Sequence, residues 1–185
     1  MTQTRTPPME TSDEANQEQL ELARAQGDAY VEALTHMVQE EADDGGEQRA
    51  GDYIVAYAVE KAEGMYHPGE NNGELEWQEP GDANCHIEIS VRDAADNRFI
   101  PGLNVHVHLI QSNGDDVGLH QQPMLWHPWL YHYGRNWTVP SDGQYTLEVR
   151  IEAPAFGRHD KKNGRRYADD VEVRFENVTI KTGQK

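Results

Sequence analysis

After Gly51, several stretches of the chain carry a residue pattern with a period of two. Residues 53–59, Tyr-Ile-Val-Ala-Tyr-Ala-Val, are a β-branched and aromatic run that reads as a strand. Residues 85–92 alternate more cleanly: Cys85, Ile87, Ile89 and Val91 share one face, and His86, Glu88, Ser90 and Arg92 share the other. Residues 103–111 repeat the pattern, with His106 and His108 opposite Val105 and Val107. Residues 145–151 and 171–180 add two more strands after the Ser141-Asp142-Gly143 turn. Residues 65–84 read as a turn-rich loop carrying Met65 and His67, and residues 125–137 as an aromatic, irregular segment.

The start of the chain follows a different pattern. Residues 1–12 are rich in Pro and Thr and predict a disordered leader. From Ser12, read as an N-cap, Leu20, Ala23, Tyr30, Ala33, Leu34, Met37 and Val38 recur at three- and four-residue steps. They predict a helical segment over 13–45, weakened or split at Gly27. Residues 43–51 read as a turn or linker. The whole predicts an all-β fold, an antiparallel immunoglobulin-like β-sandwich over 50–182 behind an N-terminal α-helical extension.

Charge narrows the partners. Asp and Glu number 33 against 16 Lys and Arg, a formal net charge of −17. Such a surface repels nucleic acid and anionic membrane, because both are bound by displacing counterions with positive charge. The acids are spread along the chain, which suits a halophilic exterior screened by salt better than a single cation patch. One cysteine, Cys85, excludes an intrachain disulfide. No apolar run reaches membrane-span length and no signal peptide is evident, so the chain as given reads as cytoplasmic, or as exported if processed.

Chemistry must then come from the nine His. His86 and Glu88 leave one strand face about 7 Å apart at the backbone, a spacing that suits one metal ion or two adjacent ones. The alternative is two solvent-facing side chains. Met124, His127 and His132 lie in a Trp/Tyr-rich stretch, and a thioether beside imidazoles favours copper. Alternatively, Met124 is a core residue. His159 precedes Asp160, which could orient its ring, or it is an ordinary loop His. His106 and His108 have no third ligand near them in sequence and read as solvent-facing. No phosphate loop, Cys-x-x-Cys pair or nucleophile elbow occurs.

Three segments, in order, resemble the bacterial periplasmic iron-transport lipoprotein family, the metal-binding partner of certain ferrous-iron permeases. They are His86-Ile87-Glu88, Pro123-Met124 with His132-Tyr133-Gly134, and Phe156-Gly157-Arg158-His159-Asp160. Gly143-Gln144-Tyr145 adds a fourth, weaker match, and the resemblance spans about 50–182. It implies a homodimeric immunoglobulin-like sandwich that binds copper, with iron as the second candidate, and buffers, stores or delivers it to a permease or other partner. It implies His86, Met124, His132 and His159 as primary ligands and Glu88 as the auxiliary; His127 has no family counterpart and either replaces a ligand or sits beside one. With the acidic composition, it suggests a haloarchaeal branch. A competing expectation is a non-catalytic interaction module using the aromatic segment 126–137. An enzyme is not expected, because a site closed by four protein ligands leaves no room for substrate. Imidazoles of ordinary pKa would lose metal as pH drops through about 6.5.

Overall fold

The computed structural model describes residues 7–69 and 73–185. One helix, α1 (Gln17–Glu40), precedes the strands β1 (Asp44–Ala50), β2 (Tyr53–Glu60), β3 (Met65–Pro68), β4 (Leu75–Gln78), β5 (Cys85–Asp93) and β6 (Val105–Gln111). The chain continues through β7 (Asp116–Gln122), β8 (Met124–His127), β9 (Leu130–Trp137), β10 (Gly143–Ile151) and β11 (Val171–Ile180). All ladders between these strands are antiparallel. One sheet runs β1-β2-β5-β9-β8, the facing sheet runs β11-β10-β6-β7, and β3 and β4 form a separate hairpin.

The alternating faces place the core between the two sheets. Cys85, Ile87, Ile89 and Val91 of β5 meet Val105, Val107 and Leu109 of β6 and Leu147, Val149 and Ile151 of β10 in one buried cluster. Yet β5 is buried along its other face too. The reason is α1, which lies across the outside of the five-stranded sheet. Leu34 and Met37 pack on Ala58 of β2 and Leu130 of β9. The Tyr30 hydroxyl bonds the Tyr131 carbonyl and reaches the Ser90 hydroxyl at 3.3 Å. Glu88, Ser90 and Arg92 therefore lie beneath the helix, and His86 next to them on β5 is buried as well.

Several local expectations change. The helix starts at Asn16, which forms a reciprocal capping box with Gln19, four residues after Ser12. Ser12 instead closes the preceding turn, accepting from the backbone N–H of Glu14 and Ala15. Gly27 does not split the helix. It permits contact: a Cβ there would stand 1.8 Å from the Asp96 carbonyl oxygen. Residues 43–51 look like a linker, but β1 pairs in full register with β2, because a polar, Gly-rich stretch suffices at a sheet edge. The segment around Met65 and His67 holds the β3–β4 hairpin, and the aromatic segment is the β8–β9 hairpin. Of the expected leader, residues 1–6 lie outside the described residues. Glu10 is held by Asn163, and the Pro7 carbonyl by Arg166.

Candidate metal centre

The register of β5 and β9 builds the site. His86 stands opposite Asn136, and Glu88 opposite Gly134. Two residues before Gly134 on the same face is His132. The three candidate side chains converge: Glu88 Oε1 lies 3.3 Å from His132 Nε2 and 3.8 Å from His86 Nε2. The two imidazole rings stand edge to face with centroids 6.0 Å apart. Among the described residues, this is the only group of three His, Cys, Asp or Glu side chains with donor atoms all within 4.8 Å of one another.

Gly134 makes this convergence sterically possible. A Cβ at that position would stand 2.9 Å from both His86 Nε2 and His132 Cδ2. Asn136 orients the first ring. Its amide is fixed by the backbone of Glu63, donating from Nδ2 to the Glu63 carbonyl at 2.7 Å and accepting at Oδ1 from the Glu63 N–H at 3.3 Å. Oδ1 thus faces His86 Nδ1 at 2.9 Å, so Nδ1 carries the proton and Nε2 presents a lone pair to the cavity.

Separations this short would suit ion pairs, but burial decides otherwise. Loss of hydration, reinforced by the nearby Glu60 and Glu63 charges, pushes the Glu88 carboxyl up to about 8. Loss of hydration, then the neighbouring His86 and His127, push His132 down to about 3. Burial likewise lowers His86, against the opposing pull of Glu63. At neutral pH the site is a carboxylic acid beside two neutral imidazoles. This changes the expected acid sensitivity. Proton competition at the imidazoles shifts well below 6.5, and Glu88 becomes the group that titrates near neutrality.

Four buried polar atoms here have no hydrogen-bond partner: His86 Nε2, Glu88 Oε2, and both His132 ring nitrogens. Unpaired buried polar groups are costly, so four in one cluster mark a place shaped for something else. Two imidazole nitrogens and a carboxylate within reach of one point form a donor set that fits copper, iron or zinc.

The remaining expected donors are distributed differently. His127 of β8 stands opposite Leu130 and so shares the His132 face. Its Nδ1 is buried and unpartnered, and it lines a cavity of about 180 Å³ with Glu88 and His132. Met124 stands opposite Tyr133, whose ring lies in the core with its hydroxyl donating to the Ile100 carbonyl. Met124 is therefore on the other face of the sheet, half exposed. His159 is 92% exposed in its side chain and pairs with Glu14 at 3.1 Å. Asp160 does not orient it, being engaged by Ser12, Lys162 and Asn163. His108 sits on the other sheet between Glu148 and Asp116, at 3.0 and 3.1 Å. Sequence reasoning missed Asn136 and the acidic mouth formed by Glu41, Glu60 and Glu63 with Lys185.

Fold and site together define an antiparallel β-sandwich with a buried two-imidazole, one-carboxylate set. The Fe2+ transport protein family matches residues 40–181, and the chain belongs to that family. No curated protein sequence matches it. Among solved structures, the chain is similar to FetP of uropathogenic Escherichia coli strain F11, at 19% identity and a TM-score of 0.60, over 76% of this chain and 98% of that one. It is also similar to the copper-reconstituted P19 protein of Campylobacter jejuni, at 18% identity and a TM-score of 0.61, over 76% and 96%. A copper-bound variant of FetP matches at 19% identity and a TM-score of 0.60, over 74% and 90%. The family match begins at Glu40, where α1 ends, so the helix over the site lies outside it.

Proposed function

We propose that this chain is a non-catalytic metal-binding protein that takes up copper, and iron as the second candidate, at His86, Glu88 and His132, with His127 at the mouth. The observation that carries the reading is the cluster of unpartnered donor atoms facing one another beneath α1. The resemblance also implies Met124 and His159, but neither reaches this cavity within one chain, and the proposed ligand set leaves them out. The two cavities meeting at the site measure about 160 and 180 Å³, below the roughly 300 Å³ at which organic ligand sites begin. That size suits an ion with its water and supports a role in buffering or delivery over catalysis.

Acidic residues at the mouth favour a cation. Glu41, Glu60 and Glu63 line it, with Lys185 paired to Glu60 and 3.5 Å from Glu63. Converging negative charge in a cleft raises the local cation concentration. Delivery to a membrane permease and a homodimeric state complete the reading. Support for a dimer comes from the free edge at β8, where Trp126 is 69% exposed and Met124 and Tyr131 are about half exposed, whereas Trp137 is core. No described helix is long and apolar enough to cross a membrane.

Calorimetric titration of the purified apoprotein with copper and with ferrous iron tests the reading. The wild type should bind one equivalent far more tightly than the His86→Ala, His132→Ala double variant. Equal affinity in the two proteins excludes this site.

A further inference from the structure

We infer that Met37 of α1 is a thioether ligand of the buried centre, so that the helix contributes a soft donor to the metal as well as covering it. This rests on the metal-binding reading above and adds a ligand from outside the family-matched region. Two cavities flank the site, one apolar beneath α1 and one with the acidic mouth, and just three residues line both: Met37, Glu88 and His132. Met37 therefore stands at the junction of the two cavities that Glu88 and His132 also line.

Packing fixes it there. Met37 is 5% exposed and clusters with Ala58 and Leu130. Ala58 is the cross-strand partner of Glu88, and Leu130 lies two residues before His132 on the same face of β9. Met37 thus packs among residues of β2 and β9 that adjoin Glu88 and His132. The bland account is a methionine filling a hydrophobic gap. It explains the contact with Leu34 and Leu130, but not the presence of this residue on both cavity walls next to unpartnered donors.

The chemistry gives a selective readout. A thioether is a soft donor that strengthens binding of cuprous ion and adds little for harder divalent ions held by imidazole and carboxylate. Met124, the methionine that the resemblance implies as a ligand, is on the opposite face of the sheet.

Cuprous affinity of the full chain, measured anaerobically by competition with bicinchoninate, tests this beside cobalt(II) affinity. Met37→Leu keeps the apolar volume; it should lower cuprous affinity roughly tenfold or more and leave cobalt(II) within about twofold, while Met124→Leu changes neither. If Met37→Leu fails to fold, X-ray absorption of selenomethionine-labelled Met124→Leu protein gives the answer: copper–selenium scattering should persist. Unchanged cuprous affinity in Met37→Leu, or scattering lost in Met124→Leu, overturns the assignment. Cobalt(II) binding that survives Met37→Leu but not His86→Ala, His132→Ala, with no cuprous effect of Met37→Leu, defeats this inference alone. Absence of any binding to the wild type defeats the underlying reading as well.

Discussion

Glu88 and Gly134 face each other directly across β5 and β9, and the missing side chain at Gly134 is what lets two imidazoles reach the Glu88 carboxyl. A Cβ at 134 would stand 2.9 Å from the His86 donor nitrogen, closer than real contacts allow. Gly134→Ala should therefore push the rings apart. We expect metal affinity to fall by roughly 100-fold through lost ligand geometry, and stability to fall by about 1–3 kcal/mol through overpacking. Calorimetry and thermal unfolding of the variant measure the two effects separately.

The opposed pKa shifts set the pH response of the apoprotein. Glu88, raised to about 8, keeps a proton in the fold that the unfolded chain releases above about 4.3, so its effect is a stability loss as pH rises through that window. His86 and His132 stay neutral in the fold, while the unfolded chain protonates them below about 6.5; their effect is a loss as pH falls. Two imidazoles outweigh one carboxyl below about 6.5, and the carboxyl acts alone above it. The site's contribution should peak near pH 6.5 and decline by about 1.4 kcal/mol per pH unit toward 8. Denaturant unfolding of wild type and Glu88→Gln across pH 5–8 checks this, since the variant should lack the alkaline decline. Metal affinity should rise about tenfold per pH unit over 6.5–8 in the wild type, as binding expels the Glu88 proton, and stay flat in the variant.

Asn136 acts through His86. Replacing it with Ala removes the acceptor that holds the ring in the Nδ1-protonated form and frees the Glu63 backbone groups. Affinity should drop about 10–100-fold with all metal ligands still present. Nitrogen NMR of His86 provides an independent check, because the variant should show a mixture of ring tautomers.

Much of this was legible from two periods. The alternation through residues 85–92 placed His86 and Glu88 on one face, and the helical stripe found Leu34 and Met37. His132 stood out as a donor beside Met124 and His127, and its resemblance motif also held Gly134, but nothing in a glycine announces that it faces a carboxylate across a ladder. Asn136 lies on the His132 face by parity alone, and its role depends on Glu63, 73 residues away. The edge strand β1 escaped because its composition is that of a turn, and only pairing with β2 makes it a strand. Sequence spacing also could not tell that Met124 and His132, both in the hairpin, point to opposite faces; that depends on register.

Gly27 offers a test of how the helix is seated. Ala is the better helix former by about 1 kcal/mol, so propensity alone favours Gly27→Ala. Its Cβ would meet the Asp96 carbonyl oxygen at 1.8 Å, which a backbone atom cannot yield without moving the helix. The clash should win, with a net destabilisation of about 1–3 kcal/mol in denaturant unfolding and faster hydrogen exchange in α1.

The most direct measurement is anomalous diffraction from crystals of the copper-loaded protein. The account requires a copper peak beneath α1, about 2 Å from His86 Nε2 and from a His132 ring nitrogen, with a Glu88 carboxylate oxygen beside it. A principal peak elsewhere, such as at the exposed His159 or between His108 and Glu148, with the His86 and His132 rings left unliganded, would contradict it.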